Sequence, residues 1–315
     1  MSIVGSGLGT CRLIHSDFST EGFWFMQSIL KLIRPHQYLK NGFVLLGPLF
    51  AHQWDLATLT EALLAFLAFC CMASAVYVLN DLVDIEADRA HPVKCQRPLP
   101  SGKISIATAK GLLGLLVSAS ILLSLLASWW VTLFVVSYFI INIFYSWHLK
   151  HVVILDVFLI SSGFMLRILA GTVGLGIDPS AWLLLCGLMV TLFLGFAKRR
   201  AELLMLEATE GANNGLTRRV LDDYSPQMLE QFIAVTAACT IIAYGLYTVS
   251  PQTVEIHGSN NLIYTLPFVV YGIFRYLFLL HRRARGNDTA KDLVQDPHLL
   301  VTAAAWVGTT LWVLS

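Results

Sequence analysis

The sequence predicts an all-α, polytopic integral membrane protein, and three observations carry that prediction. Hydrophobic residues make up 56% of the chain and charged residues 13%, with a mean hydropathy of +0.68, whereas soluble domains carry about 25% charged residues. Apolar windows of membrane-spanning length recur along the whole chain. The 21 Lys and Arg residues fall into alternate loops rather than being spread evenly.

A hydrocarbon core of ~30 Å needs ~20 apolar residues per helix. Windows of that kind lie near 31–51, 58–80, 105–127, 130–147, 153–174, 181–199, 228–249, 262–281 and 298–315, which gives nine spans in one transmembrane domain over 31–315. The first is the least regular, because Pro35, Lys40 and Pro48 interrupt it. Residues 1–30 form a preceding cytoplasmic segment, in which 22–33 reads as an interfacial lead-in helix. No signal-peptide core precedes it.

The loops near 52–57, 128–129, 175–180 and 250–261 contain no Lys or Arg, and the intervening loops and the N-terminus hold most of them. By the positive-inside rule the N-terminus is cytoplasmic and the C-terminus external, which requires an odd number of spans in a cell (inner or plasma) membrane. The net charge of +1 gives no footprint for nucleic acid. Six cysteines, at 11, 70, 71, 95, 186 and 239, show neither a CxxC nor a Cys/His ligand spacing, so free thiols are expected.

Asn80-Asp81-Leu82-Val83-Asp84-Ile85-Glu86-Ala87-Asp88 ends the second apolar run. On a continuous helix Asn80, Asp84, Asp88 and Asp81 fall at about 0°, 40°, 80° and 100°, one face. Acids in a membrane segment are costly and repel one another. Mg²⁺ prefers one or two carboxylates plus substrate phosphates, so Asp81, Asp84 and Asp88 read as metal ligands that dock a diphosphate, with Asn80 assisting. The alternative is a solvated helix end with incidental acids. In the loop that follows, Lys94 and Arg97 sit among prolines that shape its path and are candidates for phosphate, whereas Arg89 and Lys103 read as ordinary positive-inside charge.

A second constellation follows. Tyr145 and Lys150 lie at the end of span four. Asp156 and Arg167 on span five are eleven residues apart, about 20° apart on a helix, and are expected to look into a cavity, the alternative being a buried ion pair with another helix. Lys198 at the inner edge of span six is a phosphate candidate, with Arg199 and Arg200 as anchoring charge. Lys40 is a further candidate for an anionic group, or snorkels to headgroups. The loops at 204–227 and 282–297 are candidates to close over the site.

These residues resemble the UbiA superfamily of intramembrane prenyltransferases, whose Asn-Asp-x-x-Asp-x-x-x-Asp motif is matched at every position by Asn80 to Asp88. Within it the chain is most similar to the decaprenyl-phosphate phosphoribosyltransferase branch, on Arg34-Pro35-His36-Gln37 with Lys40-Asn41, His91-Pro92-Val93-Lys94 with Arg97-Pro98, Tyr145-Ser146 with Leu149-Lys150, Leu155-Asp156, Phe164 with Leu166-Arg167, Lys198 to Leu203 and Tyr271 to Tyr276. The resemblance implies a cytoplasm-facing cavity and Mg²⁺ dependence. It also implies transfer of 5-phosphoribose from phosphoribosyl pyrophosphate to a polyprenyl phosphate, releasing diphosphate. Asp156 would then bind ribose hydroxyls or orient a Lys, and Lys40, Lys94, Arg97, Lys150, Arg167 and Lys198 would bind the anionic groups. One competing reading is a prenyltransferase moving a prenyl group to an aromatic acceptor. Another is a transporter of anionic or lipid-linked cargo. Membrane lipid is a partner on every reading, nucleic acid on none, and a homo-oligomer is allowed.

Overall fold

The computed structural model describes residues 18–90, 94–147, 149–209, 223–282 and 295–314. The described elements are helices: α1 Phe18–Ile33, a 3₁₀ segment Pro35–Leu45, α2 Leu46–Ala51, α3 Leu56–Val83, α4 Ile85–Ala90, α5 Ile106–Ala127, α6 Trp129–Trp147, α7 Leu155–Gly171, α8 Ala181–Thr209, α9 Pro226–Val249, α10 Pro251–His257, α11 Leu266–Arg282 and α12 Pro297–Leu314. Among the described residues there is no strand. This suits a bilayer, where only helices or closed barrels satisfy every backbone group. The expected loops at 204–227 and 282–297 lie largely outside the described residues, as do His91, Pro92, Val93 and Cys11. The other five cysteines are free thiols.

Local signals set the helix starts. Asp55, Ser105 and Ser225 accept the backbone N–H three residues on, capping α3, α5 and α9. Proline opens α9, α10 and α12, where its missing N–H costs nothing. Neighbours in sequence pack side by side: α3 along α5, α6 along α7, α7 along α8 and α8 along α9. Trp54, Trp129, Trp130 and Trp312 are exposed near segments without Lys or Arg, as expected of an interfacial aromatic belt.

Eight of the described helical segments are long and apolar enough to cross a membrane. The ninth expected span, 31–51, is not one helix. Arg34 adopts a left-handed conformation (φ 53°, ψ 60°), Pro35 starts an eleven-residue 3₁₀ run, and α2 completes the segment. At ~2.0 Å rise per 3₁₀ residue and ~1.5 Å per α residue the broken piece is still about 30 Å long. It is pinned to α7 by close backbone contact. A Cβ on Gly47 would land on the Gly171 carbonyl oxygen, and one on Gly171 on that of Val44. Only glycine permits that approach, and it holds the irregular segment against the bundle, where its polar residues reach the interior.

Candidate active site

The acidic motif does not lie on one uninterrupted helix. α3 ends at Val83, Asp84 is its C-cap, and α4 restarts at Ile85. The turn stays bonded, since Asn80 O accepts the Asp84 N–H at 2.9 Å and Asp84 O that of Asp88 at 2.8 Å. The break divides the trio. Asp81 and Asp88 are buried and turn toward each other, whereas Asp84 is half exposed and faces Lys150 Nζ at 3.5 Å. Among the described residues no three His, Cys, Asp or Glu converge on one metal-sized point. The expected three-carboxylate face is thus corrected to a convergent pair with Asp84 beside it.

The pair is held by cations. Arg97 Nη1 lies 2.6 Å from Asp88 Oδ2 and 3.2 Å from Asp81 Oδ1, so one nitrogen marks the point on which both carboxylates converge. Arg34 Nη2 reaches Asp81 Oδ1 at 2.7 Å, and its guanidinium stacks 4.8 Å from the Tyr77 ring centre. Lys94 Nζ stands 3.9 Å from Asp88. The left-handed backbone at Arg34 costs on the order of 1–3 kcal/mol, and such strain persists where surrounding contacts over-determine it. Asn80 is fixed from α6, its Oδ1 accepting from the Ser146 hydroxyl at 2.6 Å.

Two cavities meet here. A polar one of about 490 Å³ is lined by Lys31, Arg34, Lys40, Asp81, Arg97 and Lys198, among others. An apolar one of about 660 Å³ is lined by aromatic and aliphatic side chains, including Phe43, Phe164, Phe193, Tyr276 and Trp306. Lys40 and Lys198 line both. At one wall of the apolar cavity Trp306 Nε1 donates to the Tyr244 hydroxyl at 2.8 Å, and that hydroxyl lies 2.6 Å from Thr265 Oγ1.

The second constellation is assembled differently from the expectation. Asp156 and Arg167 line neither cavity. Asp156 is fully buried, with Arg199 Nε 3.3 Å away, and accepts from the Tyr224 hydroxyl at 2.9 Å. Tyr224 in turn accepts the N–H of Ile154 at 2.6 Å, steadying a β-branched residue at φ 66°. Burial pushes the Tyr224 hydroxyl well above the usual phenol range, so it stays protonated and donates. Arg167 donates to Asn41 Oδ1 and the Gly163 carbonyl, both at 2.7 Å, between the rings of Phe69, Tyr138 and Phe164. Each finds a partner on another element, Asp156 at Arg199 and Tyr224, and Arg167 at Asn41, so both tie elements of the bundle together. Arg199 and Arg200 are not surface anchors either. Arg199 bonds Glu202 at 2.6 Å as well as facing Asp156, and Arg200 bonds Glu230 at 2.8 Å. Tyr145 is half-buried and lines neither cavity.

Sequence reasoning missed Arg34 as a site residue. Its signal was a cation before proline in an apolar segment, but its partner is 47 residues away.

A family model described as the UbiA prenyltransferase family matches residues 42–293. The chain belongs to that family. It is 37% identical to a decaprenyl-phosphate phosphoribosyltransferase of Corynebacterium glutamicum, covering 89% of this chain and 84% of that one. It is 33% identical to a protein of the same name from Mycolicibacterium smegmatis, covering 90% and 91%. Its fold matches a UbiA homologue from Archaeoglobus fulgidus bound to GPP and Mg²⁺, with TM-score 0.68 at 17% identity over 91% of this chain and 99% of that one. The protein is therefore a multi-pass membrane transferase of the UbiA family.

Proposed function

We propose that this UbiA-family transferase moves 5-phosphoribose from phosphoribosyl pyrophosphate to a polyprenyl phosphate and releases diphosphate. The observation that carries this reading is the junction of the cavities. A cation-rich chamber that also has Asp81 in its lining adjoins an apolar one, with Lys40 and Lys198 in the walls of both. A lipid phosphate suits that boundary, its headgroup on the two lysines and its first isoprene units among the aromatic side chains. The names of the relatives from C. glutamicum and M. smegmatis give decaprenyl phosphate as a substrate and phosphoribosyl as the group transferred, which supports this reading.

The donor set fits a divalent ion, since Asp81 and Asp88 already converge on a single cationic nitrogen. Asp81 and Asp88, with Asp84 beside them, would hold Mg²⁺ against the donor diphosphate, where the ion supplies charge neutralisation to the leaving group. The protein's own groups do the rest. Arg34 and Arg97 bind diphosphate oxygens and stabilise the charge that gathers there as the ribose C1–oxygen bond lengthens. Lys31 supplies further positive charge for the 5-phosphate. Lys40 and Lys198 aim an acceptor phosphate oxygen at C1, and that oxygen is an anion near pH 7, so no general base is required. On the positive-inside rule the basic loops support a polar chamber that faces the cytoplasm, where a soluble, charged donor would enter.

Purified protein in detergent, incubated with Mg²⁺, radiolabelled phosphoribosyl pyrophosphate and decaprenyl phosphate, tests the proposal. The expected product is labelled lipid formed in step with diphosphate. No labelled lipid, together with transfer of a prenyl group from prenyl diphosphate to an aromatic acceptor, would reject it.

A further inference from the structure

The cation that fills the acidic pair is a side chain of the protein, and its position suggests how metal and donor enter. Arg97 Nη1 occupies the point shared by Asp81 Oδ1 and Asp88 Oδ2, while Arg34 takes the same Asp81 oxygen from the other side. A divalent ion bound by both carboxylates needs those oxygens at ~2.0–2.1 Å, so it cannot share the point with a guanidinium, by both space and like charge. Neither arginine is locked in place. The side chains of Arg97 and Arg34 are 34% and 24% exposed, and both line the polar cavity. Arg199, by contrast, is 0% exposed against Asp156. Arg97 also lies in a short loop behind the three-residue 3₁₀ turn Lys94–Gln96, where its side chain can turn without disturbing a transmembrane helix.

We propose that Arg97, supported by Arg34, is a latch that bars a bare divalent ion from Asp81 and Asp88 until a diphosphate draws the guanidinium groups onto its own oxygens. This rests on the metal-diphosphate reading above and adds an order to it: ion and diphosphate bind together, and neither occupies the site well alone. A guanidinium pairs with phosphate oxygens as readily as with carboxylates, through parallel N–H bonds, so the exchange keeps every charge paired. The latch explains how two buried acids persist in a membrane protein between turnovers, and it keeps the ion from being held where no donor is present.

The test is Mn²⁺ binding followed by electron paramagnetic resonance on the full-length protein, with and without inorganic pyrophosphate, after correction for Mn²⁺ bound by free pyrophosphate. Wild-type protein is expected to bind Mn²⁺ weakly alone and about tenfold or more tightly with pyrophosphate, within the ~5–150-fold range common for coupled ligands. Arg97→Gln is expected to bind Mn²⁺ alone nearly as well as with pyrophosphate. Arg89→Gln removes the same charge one residue from Asp88, where Arg89 pairs with Glu86 at 2.9 Å outside the shared point, and is expected to keep the wild-type coupling. Arg34→Gln gives a second reading should Arg97→Gln fail to fold. Equally tight Mn²⁺ binding by wild type with and without pyrophosphate would overturn the latch and leave the metal site standing. Equal loss of coupling in Arg89→Gln and Arg97→Gln would also overturn it, because bulk charge would then suffice. Absence of Mn²⁺ binding under every condition would overturn the latch together with the metal site.

Discussion

Two of the acid–arginine clusters in this bundle differ in what surrounds them. At the end of α3, Asp81 and Asp88 face Arg34 and Arg97, whose side chains open onto a 490 Å³ polar cavity. Between α7 and α8, Asp156 faces Arg199, both with 0% side-chain exposure, and the Tyr224 hydroxyl completes the group. The first cluster has more cation than its acids need and room beside it. The second has partners for its acid and no room. Where a cavity reaches such a cluster a ligand has room to take the place of its cation, and where none does the charges tie two helices together.

Asp81→Asn breaks the first cluster and carries the largest expected effect. Transfer should fall by at least about 100-fold, on the scale of losing one preorganised electrostatic group, with thermal melting in detergent little changed. Near-normal turnover would remove Asp81 from the site. Asp156→Asn breaks the second cluster and should show the reverse pattern. It leaves the fully buried Arg199 with Glu202 as its remaining counter-ion, a loss of up to about 3–5 kcal/mol, read as a lower melting temperature or poor folded yield. The double variant Asp156→Asn/Arg199→Gln should recover part of that loss, because removing both charges is nearer neutral than removing one. A stable, inactive Asp156→Asn would move this residue into the chemistry after all.

The first cluster was readable in the sequence because its spacing is local. Asn80, Asp81, Asp84 and Asp88 lie within nine residues, and helical geometry puts neighbours at that range on one side. Even so, the break at Asp84 was hidden, since the helix hydrogen bonds continue across it. Lys40 and Lys198 were legible as cations at the edges of apolar runs. The fate of Asp156 and Arg167 was not, because a helical wheel gives a direction and not what lies there. Their partners are Tyr224, 68 residues on, and Asn41, 126 residues back. The apolar cavity was equally hidden. In a membrane protein a side chain facing a lipid-filled chamber and one facing bulk lipid obey the same preference, so hydropathy does not separate Phe193 or Trp306 from their lipid-exposed counterparts.

Lys198→Ala sharpens the comparison at the boundary between the cavities. A charged hydrogen bond to an acceptor phosphate is worth ~1.5–3 kcal/mol, so KM for the lipid phosphate should rise about tenfold or more. KM for the donor should change less. An equal rise for both substrates would place Lys198 on the donor instead.

The Asp296–Arg275 pair supplies the smallest expected effect. Asp296 precedes α12 and binds Arg275 of α11 through two bonds, at 3.1 and 2.9 Å, while also accepting the Leu299 N–H at 3.1 Å. The Arg275 hydrogen bond leads in lowering its carboxyl to about 2, below the ordinary carboxylate value near ~3.9. A depressed folded-state value contributes stability that is complete above the unfolded value and vanishes as pH falls through the folded one. The melting temperature of wild type should therefore exceed that of Asp296→Asn above about pH 4, and the two should converge as pH approaches about 2. Activity near neutral pH should be almost unaffected, because the pair lines neither cavity. A gap between the two proteins that persists unchanged to pH 2 would mean that packing around Asp296, rather than its charge, holds α11 to α12. The pair would then differ from both clusters, being neither a substrate site nor an electrostatic tie.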